Sequence, residues 1–536
     1  MRRPFPIALA CVLCALASAV SVSAAETLSL SRAAYEDRAR ATWTAQILGA
    51  LMGFRFEHKP ASTAWVDRLP KPYDHAPVDD DYYYEIVALR AFERYGVGLT
   101  VEQLGAQWKE NSAGSWGSSE QARLLLSRGI QPPDTGHPRY NKLWFTIGPQ
   151  FSGDIYGLLA PGLPNLAGRL ARELGHINGY AEGTDGGVFV AGMVSLAFLE
   201  NDPKEIMRKA ARLIHPRSPY RQCLDLVIGM AEKGAGPREI AQAVEDRWHI
   251  EYPATNNAVA NGGLVALSVW FGEGDFLKTV NLAFAAADYT DADCNAANAA
   301  AVVGAMHGMK ALPPALVEGI HDRIRGDAMG GVRLTPAVDE AISDLARRTV
   351  AVGEKILRAE GVPTDDDKLS ISPQNVATQP AELFSLADLT RYWNPGWKLE
   401  RVGFGGAGGG LGGVRSITYL DGDVLATYPR DEVRGALLRR TVRLGDQSSL
   451  SVQVAADPGR AWQLDAFAGN ERVLSTLIDG GQGKEREWRQ VTVDLSRFAN
   501  REVELRLFQL VLLPGRIPGN AYWRALVVSE GLPRSK

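Results

Sequence analysis

Cysteine is scarce. The 536-residue chain has four, and Cys11 and Cys14 fall in the apolar N-terminal stretch, which leaves Cys223 and Cys294. Two cysteines cannot frame a chain of this length with disulfides, so they read as separate thiols, with a single bridge between them as the open alternative. An excess of charge of one sign is lacking too. With 58 Lys and Arg against 62 Asp and Glu, the chain has no basic field for a phosphate backbone, which argues against nucleic acid as a partner. Long hydrophobic runs are confined to the start, where Met1-Arg-Arg-Pro-Phe precedes an apolar stretch and then Ser21-Val-Ser-Ala-Ala25-Glu26. A basic start, a short apolar core and small residues predict a signal peptide over residues 1–25, cut near Ala24 or Ala25. The run is too short and too weakly flanked for a permanent membrane span. A lipid anchor at Cys11 fits poorly, because the apolar core before it is too brief. The expected location is secreted or periplasmic.

What is present divides the chain. Its length exceeds one core and predicts two domains. Residues 26–360 repeat apolar positions at three- and four-residue spacing, as in Met193-Val-Ser-Leu-Ala-Phe-Leu, with no convincing strand pairs. That predicts an all-α domain. Residues 361–393 carry Asp365-Asp366-Asp367 beside Gly361 and Pro363 and read as a solvated linker. Over residues 394–536 the period becomes two, in Leu450–Val454, Val491–Leu495 and Val503–Leu507, with turns at Asp421-Gly422, Asp457-Pro-Gly459 and Asp479-Gly-Gly481. An all-β jelly-roll sandwich is expected there. The glycine-rich segment Gly403 to Gly413 reads as a mobile edge loop. The tryptophans of this region read first as core and second as a sugar platform.

Two acidic stretches stand at helix starts. One is Asp79-Asp80-Asp81 before Tyr82-Tyr83-Tyr84-Glu85-Ile86. The other is Asp291-Ala-Asp293-Cys294-Asn295 before a run of Ala, Val and Gly that ends at Gly304-Ala-Met-His307-Gly308. One carboxylate serves as a helix cap, and a cap with a solvated neighbour is the plain reading of each stretch. Two such stretches together also supply the hard oxygen ligands of Mg2+ or Ca2+. Upstream lies Gly49-Ala50-Leu-Met-Gly53-Phe-Arg-Phe-Glu57.

These three motifs, in this order, resemble the ADP-ribosylglycohydrolase family, the enzymes related to the dinitrogenase-reductase-activating glycohydrolase. The resemblance spans about residues 40–320, and the sandwich resembles galactose-binding-like modules. It departs at Ala50, at Asp79 and Tyr82 in place of threonines, and at Cys294 in place of a hydroxyl. The resemblance implies a metal-dependent hydrolase that cleaves an N- or O-glycosidic bond to a ribose. The metal is Mg2+, as one ion or two, with Ca2+ and Mn2+ as open alternatives. Asp79, Asp80, Asp81, Asp291, Asp293 and Cys294 are the expected metal residues. Glu57 and Asp154 are the expected catalytic residues, since Glu57 keeps its spacing from Gly49.

Expected substrate contacts are Gly153, Tyr156, His176 and Asn256. The first two belong to Gly148-Pro-Gln-Phe-Ser-Gly153-Asp154-Ile-Tyr156-Gly157, which reads equally as a ligand cradle or as a tight turn. Gly157 stands where the family pattern has an arginine. His176 begins Gly175-His176-Ile-Asn-Gly-Tyr180, and a structural histidine is the plain reading there. Asn256 lies in Thr255-Asn256-Asn257, whose plain reading is capping and close packing. The expected partners are a small-molecule or glycan substrate, with carbohydrate contact through the sandwich. Two other readings stay open, a non-catalytic sugar or ADP-ribose-like binder and a secreted glycosidase acting on another glycan.

Overall fold

A computed structural model describes residues 27–252, 254, 256–365, 367–404 and 416–529. The signal-peptide stretch and most of the Gly403 to Gly413 loop lie outside the described residues. The helical part is built around two helices, Arg32–Gly53 and Ala292–His307, both buried over most of their length. Small residues let these backbones touch. A Cβ on Gly49 would lie 2.7 Å from the Ala296 carbonyl oxygen, and one on Gly304 would lie 2.6 Å from that of Ala41. Stretches that are buried on every face, as over residues 41–53 and 292–306, belong in a core rather than at a surface. Asp80–Tyr95, Glu182–Ala197 and Ala258–Gly272 pack around them. Among the described residues no helix is long and apolar enough to cross a membrane.

A hairpin interrupts this helical part, contrary to the expectation of no strand pairs. Arg323–Met329 pairs antiparallel with Val332–Ala341 across Gly330-Gly331. Both glycines have positive φ, 55° and 78°, as a tight hairpin turn requires. Its strands are largely exposed and contain Gly326 and Pro336, so the strand signal is weak.

The C-terminal part is two five-stranded antiparallel sheets. In one the order is Glu471–Asp479, Ala461–Ala468, Glu502–Leu510, Ala436–Arg443, Lys398–Glu400. In the other it is Arg489–Asp494, Ser449–Ala456, Ala521–Ser529, Val424–Thr427, Tyr419–Asp421. Period-two alternation is plain in Glu502–Leu510, where every second residue is buried. Trp462 and Trp523 meet between the sheets at 5.0 Å between ring centroids, and their indole N–H groups donate to Ala455 O and Thr427 Oγ1. These two tryptophans are core.

Residues 361–393 are a docked strap rather than a solvated linker. Lys368–Ile371 pairs with Leu28–Ser31, burying Leu369 and Ile371. Further on, Glu382 accepts from Thr184 Oγ1 at 2.8 Å and meets His176 Nε2 at 2.6 Å and Arg172 Nη1 at 3.5 Å. Asp365 and Asp367, by contrast, are exposed.

Candidate functional site

The opening helix ends against the second acidic stretch. A Cβ on Gly53 would stand 2.6 Å from Asp293 Cα, so only glycine permits this approach. A short turn, Phe54–Phe56, then delivers Glu57 and His58. The His58 N–H donates to Thr290 O at 2.9 Å, and the Tyr289 N–H donates to Lys59 O at 2.8 Å. This exchange holds the two loops together, with His58 at a positive φ of 53°. Potential ligand atoms of Glu57, His58 and Asp291 lie within 4.8 Å of one another, as do those of Asp291, Asp293 and Cys294.

Asp291 is the pivot. It caps its helix by accepting from the Cys294 N–H at 3.4 Å, and its own N–H donates to Asn261 Oδ1 at 3.1 Å. Its other carboxylate oxygen accepts from the Asn256 amide. His58 bridges outward, with Nε2 3.7 Å from Asp291 and Nδ1 3.7 Å from Glu57. Burial alone would raise the Asp291 carboxyl, but His58 and its other polar neighbours hold it below the usual range. Glu57 goes the other way. Burial, then Asp291 and Asp79, push it up to about 7 against the pull of His58 and Lys59.

The first acidic stretch closes the site. Asp79 caps the helix Asp80–Tyr95 by accepting from the Asp81 N–H. Burial raises Asp80 and Asp81 far above the usual carboxylate range, and neighbouring carboxylates, including Asp291 and Glu57, add to it. Asp81 is fully buried, and neither carboxylate oxygen has a hydrogen-bond partner of normal geometry; one oxygen of Asp293 is likewise orphaned. Carboxylates this dry are costly unless protonated or neutralised by a cation. Hard oxygen donors around orphaned carboxylates therefore fit a hard divalent cation.

Cys294 fits such a cation less well. Burial and the nearby carboxylates Asp291, Asp81 and Asp293 raise its thiol far above its ordinary value, and a neutral thiol is a soft, weak donor. Both Cys294 and Cys223 are free and buried, so no bridge joins them.

Other expected contacts fall elsewhere. Asp154 is fully buried and accepts from Gln46 Nε2 at 3.1 Å and Asn298 Nδ2 at 2.8 Å, behind the site rather than in it. A Cβ on Gly153 would meet Gly187 O at 2.9 Å, and Tyr156 is 4 % exposed, so both serve packing. His176 is taken up by Glu382 of the strap. At Gly157 a Cβ would lie 2.6 Å from Ala191 O and from Val194 Cβ. An arginine there is sterically excluded. Tyr82 turns its hydroxyl to Pro77 O and is core. Asn256 does reach the site. His58 was legible only as a neighbour of Glu57, because nothing in its spacing marks a functional histidine.

The sequence model of the family described as ADP-ribosylglycohydrolase matches residues 31–355. Among solved structures, an ADP-ribosylglycohydrolase-related protein complex is similar with a TM-score of 0.40 and 15% identity, over 60% of this chain and 99% of that one. The K1 cleaved adhesin domain of Lys-gingipain from Porphyromonas gingivalis W83 is similar over 25% of this chain and 83% of that one, with a TM-score of 0.17 and 14% identity. A structure described as CBM4 structure and function is similar over 26% and 89%, with a TM-score of 0.19 and 13% identity. No curated protein matches the chain.

Proposed function

The chain belongs to the ADP-ribosylglycohydrolase family, and on that premise we propose an exported, divalent-metal-dependent enzyme that cleaves an N- or O-glycosidic bond to a ribose or related furanoside. Its class, a hydrolase of glycosidic bonds, comes with the family. The observation that supports the rest is Glu57 beside Asp291, with the orphaned carboxylates of Asp81 and Asp293 close enough to feel its charge.

Asp79, Asp80, Asp81, Asp291 and Asp293 would hold the cation, with Mg2+ first and Ca2+ or Mn2+ as alternatives. Bound there, the cation supplies charge neutralisation and Lewis acidity. Glu57 stays 31 % exposed at its side chain, so water reaches it. A carboxyl pushed to about 7 is poised to accept or return a proton near neutral pH, as an oxocarbenium-like transition state demands. Asn256 and the helix cap fix the orientation of the Asp291 carboxylate. The signal peptide over residues 1–25 would export the chain, and the sandwich over 394–536 would contact glycan, where Trp488 is half-buried.

One observation favours a substrate other than ADP-ribose. The close packing at Gly157 leaves no arginine for an anionic group at that position, so a neutral furanoside or nucleoside-like glycan suits the site better. Turnover of aryl ribofuranosides, arabinofuranosides and ADP-ribosyl-arginine, with Mg2+ and with chelator, tests the reading. Hydrolysis of at least one that stops with chelator is expected, with an acidic limb in kcat/KM that rises through about pH 7 as Glu57 gives up its proton. Binding without turnover under every metal would overturn it and make the chain a sugar binder.

A further inference from the structure

The Asn256 amide that steadies Asp291 is delivered by a segment with little support of its own. The helix Pro237–Val244 runs into a π-helical turn, Glu245–His249, a winding often found at functional positions. Ile250 beyond it is 72 % exposed. Nearer the site the segment pairs with the chain around Phe145. There the Ile147 N–H donates to Asn256 O at 2.9 Å, and the Ala258 N–H donates to Phe145 O at 3.0 Å. Asn257 Nδ2 donates to Tyr252 O at 2.9 Å, which ties the Tyr252 backbone to the same pairing.

What grips this pairing comes from the other half of the chain. The ring of Phe404, in the sandwich, stacks on Tyr252 with centroids 4.7 Å apart and planes at 28°. It also meets Phe145 at 4.5 Å and Trp144 at 5.7 Å. Phe404 therefore touches both sides of the pairing at once, and all three of Phe404, Tyr252 and Phe145 are buried. The Tyr252 hydroxyl is fixed in turn by donating to Glu182 Oε1 at 3.2 Å. Arg430, also of the sandwich, pairs with Glu251 next door. That pair is largely exposed, so it aims the segment more than it holds it.

We propose that the sandwich completes the cation site from outside, with Phe404 as a positioning residue, aided by Arg430, that holds Asn256 against Asp291. The proposal rests on the reading of Asp291 as a metal ligand. A ligating carboxylate needs partners that orient it, and losing one such partner costs about 10–100-fold in metal affinity. Asn256 is that partner here, and Phe404 sets where Asn256 stands. The sandwich thus has a role in the reaction that is independent of any glycan it binds.

Hydrogen exchange of the full chain tests this without turnover. In Phe404→Ala, peptides holding the Ile147 and Ala258 amides should exchange about tenfold faster, the scale of a lost aromatic contact. Peptides of Ser449–Ala456 should keep their protection. The Mg2+ needed for half of the Tm rise should increase about tenfold, and Phe404→Tyr, which keeps the ring, should restore it. In an Asn256→Ala background, Phe404→Ala should add nothing further, because both changes break one connection. Should Phe404→Ala fail to fold, Phe404→Leu combined with Arg430→Ala carries the same comparison. Unchanged exchange at Ile147 and Ala258, equal acceleration throughout the sandwich, or full additivity with Asn256→Ala would overturn the proposal. Absence of any metal response or turnover in the unvaried chain would sink the glycohydrolase reading instead, and the exchange would still decide whether Phe404 holds the Asn256 segment.

Discussion

The chain contains two aspartate triplets, and they ended in opposite places. Asp79-Asp80-Asp81 begins a buried helix, where Asp79 caps, Asp81 is fully dry, and Asp291 and Glu57 close around them. At the other triplet, Asp365 and Asp367 lie exposed beside a short strand, and what engages there is backbone, with the Asp365 N–H donating to Lys368 O and Asp367 O accepting from the Arg32 N–H. Identical side chains thus carry very different electrostatic weight. The difference is desolvation, since water screens one set of charges and the fold has removed it from the other.

Glu57→Gln should produce the largest effect, because it keeps shape while removing the proton acceptor nearest the buried triplet. Turnover should fall by about 10²–10⁴ with little loss of stability. Near-normal rates would move the catalytic role off Glu57.

Next comes the strap. Burial would raise Glu382, but His176 and Arg172 pull it down from 4.5 to about 2. Because the folded value is depressed, the stabilisation is complete above the ordinary carboxylate range and drains away as pH falls from about 4.5 towards about 2, by at most about 3 kcal/mol. Proteolysis of the 361–393 segment against pH should accelerate across that window, and Glu382→Gln should abolish the dependence.

Gly53→Ala forces a methyl against Asp293 Cα and should cost about 1–3 kcal/mol by overpacking. It should also weaken any metal response, because it pushes the second acidic stretch away from the first. A variant with normal metal-induced stabilisation would mean that the two helix starts do not act together.

Asp81→Asn reverses the usual direction. Removing an unserved buried carboxyl, which burial and its acidic neighbours force to hold a proton, should stabilise the metal-free chain by about 1–2 kcal/mol while abolishing the shift of Tm with divalent metal. A destabilised metal-free protein would contradict the cost assigned to that carboxylate. Smallest of all, Asp365→Asn with Asp367→Asn should stay within about 0.5 kcal/mol, and a larger loss would undo the contrast between the triplets.

The sequence by itself determined the broad architecture. Period-two alternation in Glu502–Leu510 and small-residue helices such as Ala292–His307 are local signals, because each encodes which face is buried. It also marked Asp79–Asp81, Asp291, Asp293, Glu57 and Asn256, since helix starts and motif order are visible along the chain. Only the tertiary structure decided what each polar group meets. Asp154 and Glu57 look alike as carboxylates near glycines, yet one is locked among Gln46 and Asn298 while the other is half-buried beside His58 and Asp291. His176 was claimed by Glu382, some 200 residues away in the chain, and no local pattern announces such a partner. The strap and the Arg323–Ala341 hairpin were hidden for the same reason. Burial and pairing are properties of distant residues brought together, and a side chain's chemistry is set by those neighbours more than by its own identity.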